Sequence, residues 1–339
     1  MDKRAKARPS GLSFFTAVMT KCRPFLFLPS VLFLLLNPVW CRVARAGLAP
    51  GDYSFSLTSD HRRTYMVHMP PRADGLEALP VVLNFHGAMS NGKQQEAYSG
   101  MDRTADRFGF IVVYPNGTGR FGHLTWNAGL CCGYAMFHRE DDVRFVLALI
   151  DDLASHTPID RSRVYATGLS NGAMMSYRLA AEAADHFAAI APVAGAMVLP
   201  EFHPTKPISI MHIHSVDDPF AAYSGGYGRS GRRGRKLGNP DVETMLAHWR
   251  KFDGCPADPK IDASLSGARD SADAGNSATR YTWAPCARGT EIVLWKLAGA
   301  GHVWPGAGAH PRLLGRPTNL INANEEIWRF LSRFSRPQN

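Results

Sequence analysis

The chain has 339 residues, 45% of them hydrophobic and 10% aromatic, which excludes a disordered or low-complexity protein and suffices for one large core. Its formal net charge is +9, but residues 1–46 carry eight Lys or Arg against one acid. The remainder is close to neutral, so the basic balance is no argument for nucleic acid, and none is expected as a partner.

Taken in chain order, the first segment reads as an address. Lys3, Arg4, Lys6, Arg8, Lys21 and Arg23 precede an apolar run from Phe25 to Trp40, and Ala44-Arg45-Ala46 offers a small-x-small cleavage site. Residues 1–46 are therefore expected to be a signal peptide, with Met19 as an alternative start. The run is about 16 residues long, broken by Pro29, Asn37 and Pro38, and a membrane helix needs roughly 20. A secreted product, extracellular or periplasmic, with no stable membrane span is expected. Residues 47–339 are expected to form a single catalytic domain without a separate polymer-binding domain.

Two alternating segments, Tyr53–Leu57 and Thr64–Met69, open the domain as an antiparallel pair. Apolar strand runs then alternate with helical patterns. The strands are Pro80–Phe85, Phe110–Tyr114, Arg163–Thr167, Phe187–Ala191, Pro207–Ile213 and Glu291–Lys296. The helices are Ala97–Phe108, Glu140–Ser155, Asn171–Ala184, Asp241–Phe252 and Asn324–Phe334. This order predicts an α/β fold with a mainly parallel sheet and helices on both faces. In such sheets the chemistry sits at the carboxyl ends of the strands. Arg229, Arg232, Arg233, Arg235 and Lys236 lie in a Gly/Ser/Arg stretch that reads as a solvated loop. The Ser/Ala/Asp/Gly-rich stretch from Ala263 to Ala278 reads as a floppy insert.

Gly168-Leu-Ser-Asn-Gly172 matches G-x-S-x-G between a strand and a helix. There a tight turn throws the serine forward and the helix start supplies free N–H groups. Ser170 is thus the predicted nucleophile. A serine hydroxyl needs a base and the base an orienting carboxylate, in the order Ser, acid, His. Of His248, His302 and His310, only His302 directly follows the last strand, and it is the predicted base. The acid lies in His214-Ser-Val-Asp-Asp-Pro219; Asp218 is favoured over Asp217, which reads as a turn cap. The oxyanion hole is expected from the N–H groups of Asn171 and Ala88, with His86 either beside it or bonded to backbone. Trp126, Asn127 and Trp304 are candidates for the substrate pocket, with core packing as the other reading of the tryptophans. Neither metal-ligand spacing nor a nucleotide loop occurs, and no metal or cofactor is expected. Asn116-Gly-Thr118 is a formal glycosylation sequon that reads as a turn.

Four cysteines remain after cleavage. A bridge between Cys255 and Cys286 would close the insert. Cys131 and Cys132 are adjacent, about 3.8 Å apart at Cα, and either a strained vicinal bridge or two buried thiols is open.

Several segments together resemble the secreted esterases that include polyhydroxybutyrate depolymerases and feruloyl or acetylxylan esterases of carbohydrate esterase family one. They are Asn84-Phe-His-Gly87, Tyr114-Pro-Asn-Gly117, Trp126-Asn-Ala-Gly-Leu-Cys-Cys-Gly133 with Asp141-Asp-Val143, Gly168 to Met174, His214 to Gly226, and Gly301-His-Val-Trp-Pro-Gly306. The resemblance implies an α/β-hydrolase fold and a serine esterase acting on a plant cell-wall polysaccharide ester or a polyester oligomer. It places nucleophile, acid and base on Ser170, Asp218 and His302. An acyltransferase on the same scaffold and a non-catalytic cell-envelope binding protein are the alternatives.

Overall fold

A strand can bury apolar side chains at both parities only where both of its faces are covered. Such strands build the middle of this protein. The computed structural model describes residues 47–57, 59, 60, 62–226, 240–308 and 312–337. The expected signal peptide, the basic loop from Arg229 to Lys236 and His310 lie outside these residues.

The strands are β1 (Gly51–Ser56), β2 (Thr64–Met69), β3 (Leu79–Phe85), β4 (Ile111–Pro115), β5 (Thr118–Arg120), β6 (His123–Thr125), β7 (Ile159–Leu169), β8 (Ala189–Val193), β9 (Ser209–Ser215), β10 (Lys260–Ser266), β11 (Ser277–Trp283) and β12 (Ile292–Ala298). The helices are α1 (Gly92–Ser99), α2 (Asp102–Phe108), α3 (Gly133–Phe137), α4 (Asp142–His156), α5 (Asn171–Glu182), α6 (Val242–Phe252) and α7 (Ala323–Leu331). Ten strands form one sheet in the order β1-β2-β4-β3-β7-β8-β9-β12-β11-β10. The central six, β4 to β12, are parallel, and antiparallel pairs flank them on both sides. Every residue of β3, β4, β8 and β9 is buried. This is the α/β architecture with a mainly parallel sheet that the alternation predicted, in the α/β-hydrolase form that the resemblance implied.

Strand parity sorts the core into two layers. Val81, Leu83 and Phe85 of β3 join α4, α5 and α6 through Phe145, Leu149, Met175, Leu246 and Trp249. Val82 and the opposite parities of β4 and β9 join α2 and α7 through Ala105, Ile327, Trp328 and Leu331. Among the described residues no helix is long and apolar enough to cross a membrane.

Three expectations are corrected. The helix expected over Ala97–Phe108 is two, because Gly100 ends α1 in the left-handed region at φ 57° and its N–H bonds back to Glu96. The strand expected at Phe187–Ala191 lies at Ala189–Val193, since Ala184–His186 forms a short 3₁₀ turn first. The stretch read as a floppy insert begins within β10 and ends within β11, which pair antiparallel and continue the sheet beyond β12. Its tip is gathered by Asp273, whose Oδ1 accepts from Asn276 Nδ2 and Thr318 Oγ1. The sulfurs of Cys255 and Cys286 meet just outside this hairpin.

Beside that sulfur pair, Asp253 closes α6 with a fully buried side chain. Neither carboxylate oxygen has a well-formed partner; the Ile208 N–H is its one weak counterweight, and burial pushes the carboxyl up to about 7. An unfolded Asp ionises near pH 4, so between about pH 4 and 7 unfolding releases a proton and stability falls as pH rises. At about 1.4 kcal/mol per pKa unit, the ceiling is roughly 4 kcal/mol. Asp253→Asn should therefore raise stability in urea unfolding at pH 8 and lose most of that gain at pH 4.5. An equal gain at both pH values would contradict ionisation as the cause.

Candidate active site

The β7–α5 turn is set by close approach. A Cβ at Gly168 would stand 2.6 Å from the Phe85 carbonyl oxygen at the end of β3, and one at Gly172 would meet the same carbonyl. Only glycine lets the turn pack this deep. Between them Ser170 takes φ 58°, ψ −116°, a conformation that costs a side-chain-bearing residue about 1–3 kcal/mol. Its N–H is anchored on the Val193 carbonyl of β8 at 2.9 Å. Asn171 is the first residue of α5, so its backbone N–H has no acceptor within the helix. Gly87, just after β3, packs close to Ser170 (a Cβ there would lie 3.6 Å from that of Ser170), and Ala88 follows, exposed at the rim.

Two strands along, the turn after β9 carries the aspartates. Asp218 is 5% exposed. Its Oδ2 lies 2.6 Å from Nδ1 of His302, and its Oδ1 accepts from the N–H groups of Phe220 and Ala221, both at 2.8 Å. His214 Nε2 stands 3.2 Å from Oδ2. Burial works to raise this carboxyl, but the His302 charge and the bonds from His214 and His302 outweigh it and hold it well below the usual carboxylate range. His302 lies in the loop after β12, the parallel neighbour of β9. That loop is tied to the aspartate turn twice. Ser215 Oγ donates to the Ala300 carbonyl at 2.5 Å, and Gly299 N–H donates to Asp217 Oδ2 at 2.7 Å. Asp218 thus engages the histidine while Asp217 caps the histidine's loop. Ser170, Asp218 and His302 stand at the carboxyl ends of β7, β9 and β12, with β8 between the first two.

The residues read as pocket candidates have internal work. His86 is fully buried; its Nε2 accepts from Gly117 N–H at 3.0 Å, so Nδ1 carries the proton toward the Gly87 carbonyl at 2.8 Å. Burial pushes its pKa down to about 4, and the ring is a neutral strut behind the loop after β3. Trp126 is fully buried, edge-on to Phe85, and donates from Nε1 to the His86 carbonyl at 3.0 Å. Its backbone is gripped by the Asn171 amide, which accepts from Trp126 N–H at 2.7 Å and donates to its carbonyl at 3.1 Å. Asn127 donates its N–H to buried Asp142 at 2.7 Å and its amide to the Glu140 carbonyl at 2.9 Å. Asp142 is held in turn by Arg63 at 2.6 Å. Trp304 is buried against Asn324, bonded through Nε1 at 2.9 Å. Long-range hydrogen bonding, invisible in the sequence, gives His86, Trp126, Asn127 and Trp304 partners in the frame behind the turn.

The frame also includes Asp142, which the resemblance quoted without a role, and two residues that motif reading passed over, Arg63 and Arg178, whose guanidinium reaches the Asn127 carbonyl at 2.5 Å. Cys131 and Cys132 meet sulfur to sulfur in a small cluster with Met174 of α5. The Asn116 amide is spent on Gly92 N–H and Thr64 Oγ1, as suits a turn residue. No group of His, Cys, Asp or Glu among the described residues is arranged to hold a metal ion.

Comparison with known proteins fits this geometry. The family described as Esterase PHB depolymerase matches residues 63–226. NocK of Nocardia uniformis subsp. tsuyamanensis, assigned as an esterase, is 32% identical over 257 residues, covering 74% of this chain and 73% of its own. The chain belongs to the esterase PHB depolymerase family. It is also 29% identical to a bifunctional acetylxylan esterase/xylanase of Neocallimastix patriciarum, over 66% of this chain and 28% of that one. A feruloyl esterase B of Piromyces equi is 28% identical over 71% of this chain and 42% of its own, so the match spans less than half of those two longer proteins. Among solved structures, an acetyl xylan esterase from Aspergillus awamori shares the fold at TM-score 0.52 and 13% identity, over 83% of this chain and 99% of that one.

The Asn171 clamp can be tested without any substrate. Asn171→Ala strips the buried Trp126 N–H of its partner and takes one of two donors from the Trp126 carbonyl, which keeps the Cys132 N–H. Leaving a buried group unmade costs about 1–3 kcal/mol, so urea unfolding should show a loss of roughly that size. Wild-type stability would mean that the amide is not what holds Trp126.

Proposed function

We propose that this member of the family is a secreted serine esterase that cleaves carboxylic esters through an acyl-enzyme on Ser170. The observation that carries the reading is the 2.6 Å Asp218–His302 bond at the strand edge where Ser170 is held forward in a left-handed turn. His302 takes the Ser170 hydroxyl proton as Oγ bonds to the ester carbon. The carbonyl oxygen becomes an oxyanion, held by the N–H groups of Asn171 and Ala88. On collapse the carbon–alkoxy bond breaks, and the leaving alcohol takes the proton from His302. Water then attacks the acyl-enzyme with His302 again as base, releasing the acid and restoring the serine. Asp218 keeps His302 in the tautomer with Nδ1 protonated and stabilises the imidazolium in both halves; no cofactor enters these steps.

The proposed substrates are feruloyl or acetyl esters of plant cell-wall polysaccharide, the classes named for two relatives; polyester oligomers, suggested by the family's description, are the competing class. Secretion is supported by the amino-terminal pattern of residues 1–46 and by the two sulfur pairs, Cys131 with Cys132 and Cys255 with Cys286, which we read as disulfides suited to an oxidising compartment.

An organophosphate should label Ser170, and Ser170→Ala should abolish both labelling and esterase activity. Full activity in Ser170→Ala would overturn the reading. Asp218→Asn should lower kcat by roughly 10³- to 10⁴-fold, as wrong-tautomer variants of such triads do, whereas Asp217→Asn should cost less than about 10-fold. Comparable losses from the two would refute the assignment of the acid. Initial rates on methyl ferulate, acetylated xylan and hydroxybutyrate oligomers decide the substrate class, and a preference for the oligomers would overturn the cell-wall assignment.

A further inference from the structure

Two histidines on β9 have no part in the reaction just described. His212 and His214 are two residues apart, so both point to the face covered by α5 and α6. They are 0% and 1% exposed. Buried imidazoles are costly unless their nitrogens find partners, and here every nitrogen has one. Tyr177 Oη of α5 lies 3.0 Å from His212 Nδ1. His212 Nε2 lies 3.0 Å from His214 Nδ1. His214 Nε2 lies 2.8 Å from the Ala221 carbonyl oxygen and 3.2 Å from Asp218 Oδ2.

The proton order follows from the last link. His214 Nε2 faces two acceptors and no donor, so it must carry a proton. In a neutral ring Nδ1 then accepts, which requires the proton of His212 on Nε2. His212 Nδ1 accepts in its turn, and Tyr177 donates to it. Burial holds His212 well below the ordinary imidazole range and Tyr177 well above the ordinary phenol range, so both stay neutral as this order requires. The other titratable neighbour of His214 is Tyr223, whose ring meets it edge-on at 5.6 Å. Beyond that ring, Glu243 accepts from Tyr223 Oη at 2.7 Å and pairs with Lys296 at 2.9 Å.

We infer that Tyr177, His212 and His214 form a one-way hydrogen-bond chain that delivers a proton donor to Asp218 Oδ2, the oxygen that also engages His302, and so positions and tempers the acid of the triad. The inference rests on the esterase reading above. With His214 on Oδ2 and two backbone N–H groups on Oδ1, Asp218 keeps one rotamer, and the oxygen facing His302 shares its charge with a second donor. His214 is a positioning residue: it acts on the reaction only through Asp218.

The test uses the full chain with p-nitrophenyl acetate. His214→Leu removes the donor at similar volume. Its kcat should fall about 10- to 100-fold with KM changed less than about twofold. With one donor fewer, the carboxylate favours the His302 imidazolium more strongly, so the acid limb of kcat/KM should move to higher pH. His214→Gln, which can return an N–H near the Nε2 position, should bring the limb back toward wild type. Tyr177→Phe, smaller in its disturbance, should shift the limb the same way by less, and should add nothing in the His214→Leu background, since both act through one chain. Near-UV circular dichroism checks folding; if His214→Leu does not fold, Tyr177→Phe and His214→Gln decide. A folded His214→Leu with wild-type kcat and limb, a Gln variant no better than Leu, additive effects with Tyr177→Phe, or an unshifted limb in Tyr177→Phe would overturn the chain. Organophosphate labelling of Ser170 in the wild type separates the two failures. A labelled enzyme whose variants do not respond loses only this inference, whereas an unlabelled one loses the esterase reading itself.

Discussion

No side chain fits between the β7–α5 turn and the end of β3, and the rest of the site is arranged around that contact. Gly168 and Gly172 bring the turn onto the Phe85 carbonyl, which sets Gly87 beside Ser170. The segment behind them must then be held at a fixed distance. His86 does so by bracing the Gly87 carbonyl against Gly117, and Asn171 does so by fastening Trp126. Asn171 therefore serves both sides of the turn. Its side chain faces inward to the frame, while its N–H sits at the free end of α5.

The frame continues outward by the same means. Asn127 follows Trp126 and is tied to Asp142 at the head of α4, and Asp142 is tied to Arg63 just before β2. Arg63 in turn lies over the Phe145 ring at 3.7 Å. A buried ion pair of this kind is weak evidence of net stability, because desolvation offsets much of the attraction. Its effect here is geometric: it fixes where the loop after β6 must run, and so where the wall behind the serine stands.

Much of this was legible in the sequence, for identifiable reasons. Fully buried parallel strands leave continuous apolar runs, and β3, β4 and β9 were found within a residue or two of their ends. Gly-Leu-Ser-Asn-Gly between strand and helix located the turn, and chain order pointed to the segments after β9 and β12, where Asp218 and His302 meet. What escaped depends on contacts between distant positions. Trp126 and Asn171 are 45 residues apart, and nothing local tells a tryptophan whose indole supports a loop from one that lines a pocket. β10 escaped for a different reason. Nearly all its residues are exposed, so it has no burial alternation, and only its backbone ladder to β11 makes it a strand. The buried pair His212 and His214 was visible as two histidines at strand spacing, but their meaning required Tyr177, which belongs to another layer.

Asp218 and His302 meet although 84 residues separate them. Neither position is set by that distance along the chain, because β9 and β12 are neighbours in the sheet and their ends are tied by Ser215 and Asp217. Closing a longer loop costs only about 0.6 kcal/mol for each doubling of its length. The intervening segment can therefore lengthen or shorten at little cost in closure so long as β9 and β12 stay paired, and Asp218 and His302 keep their register whatever the hairpin and loops between them carry to the surface.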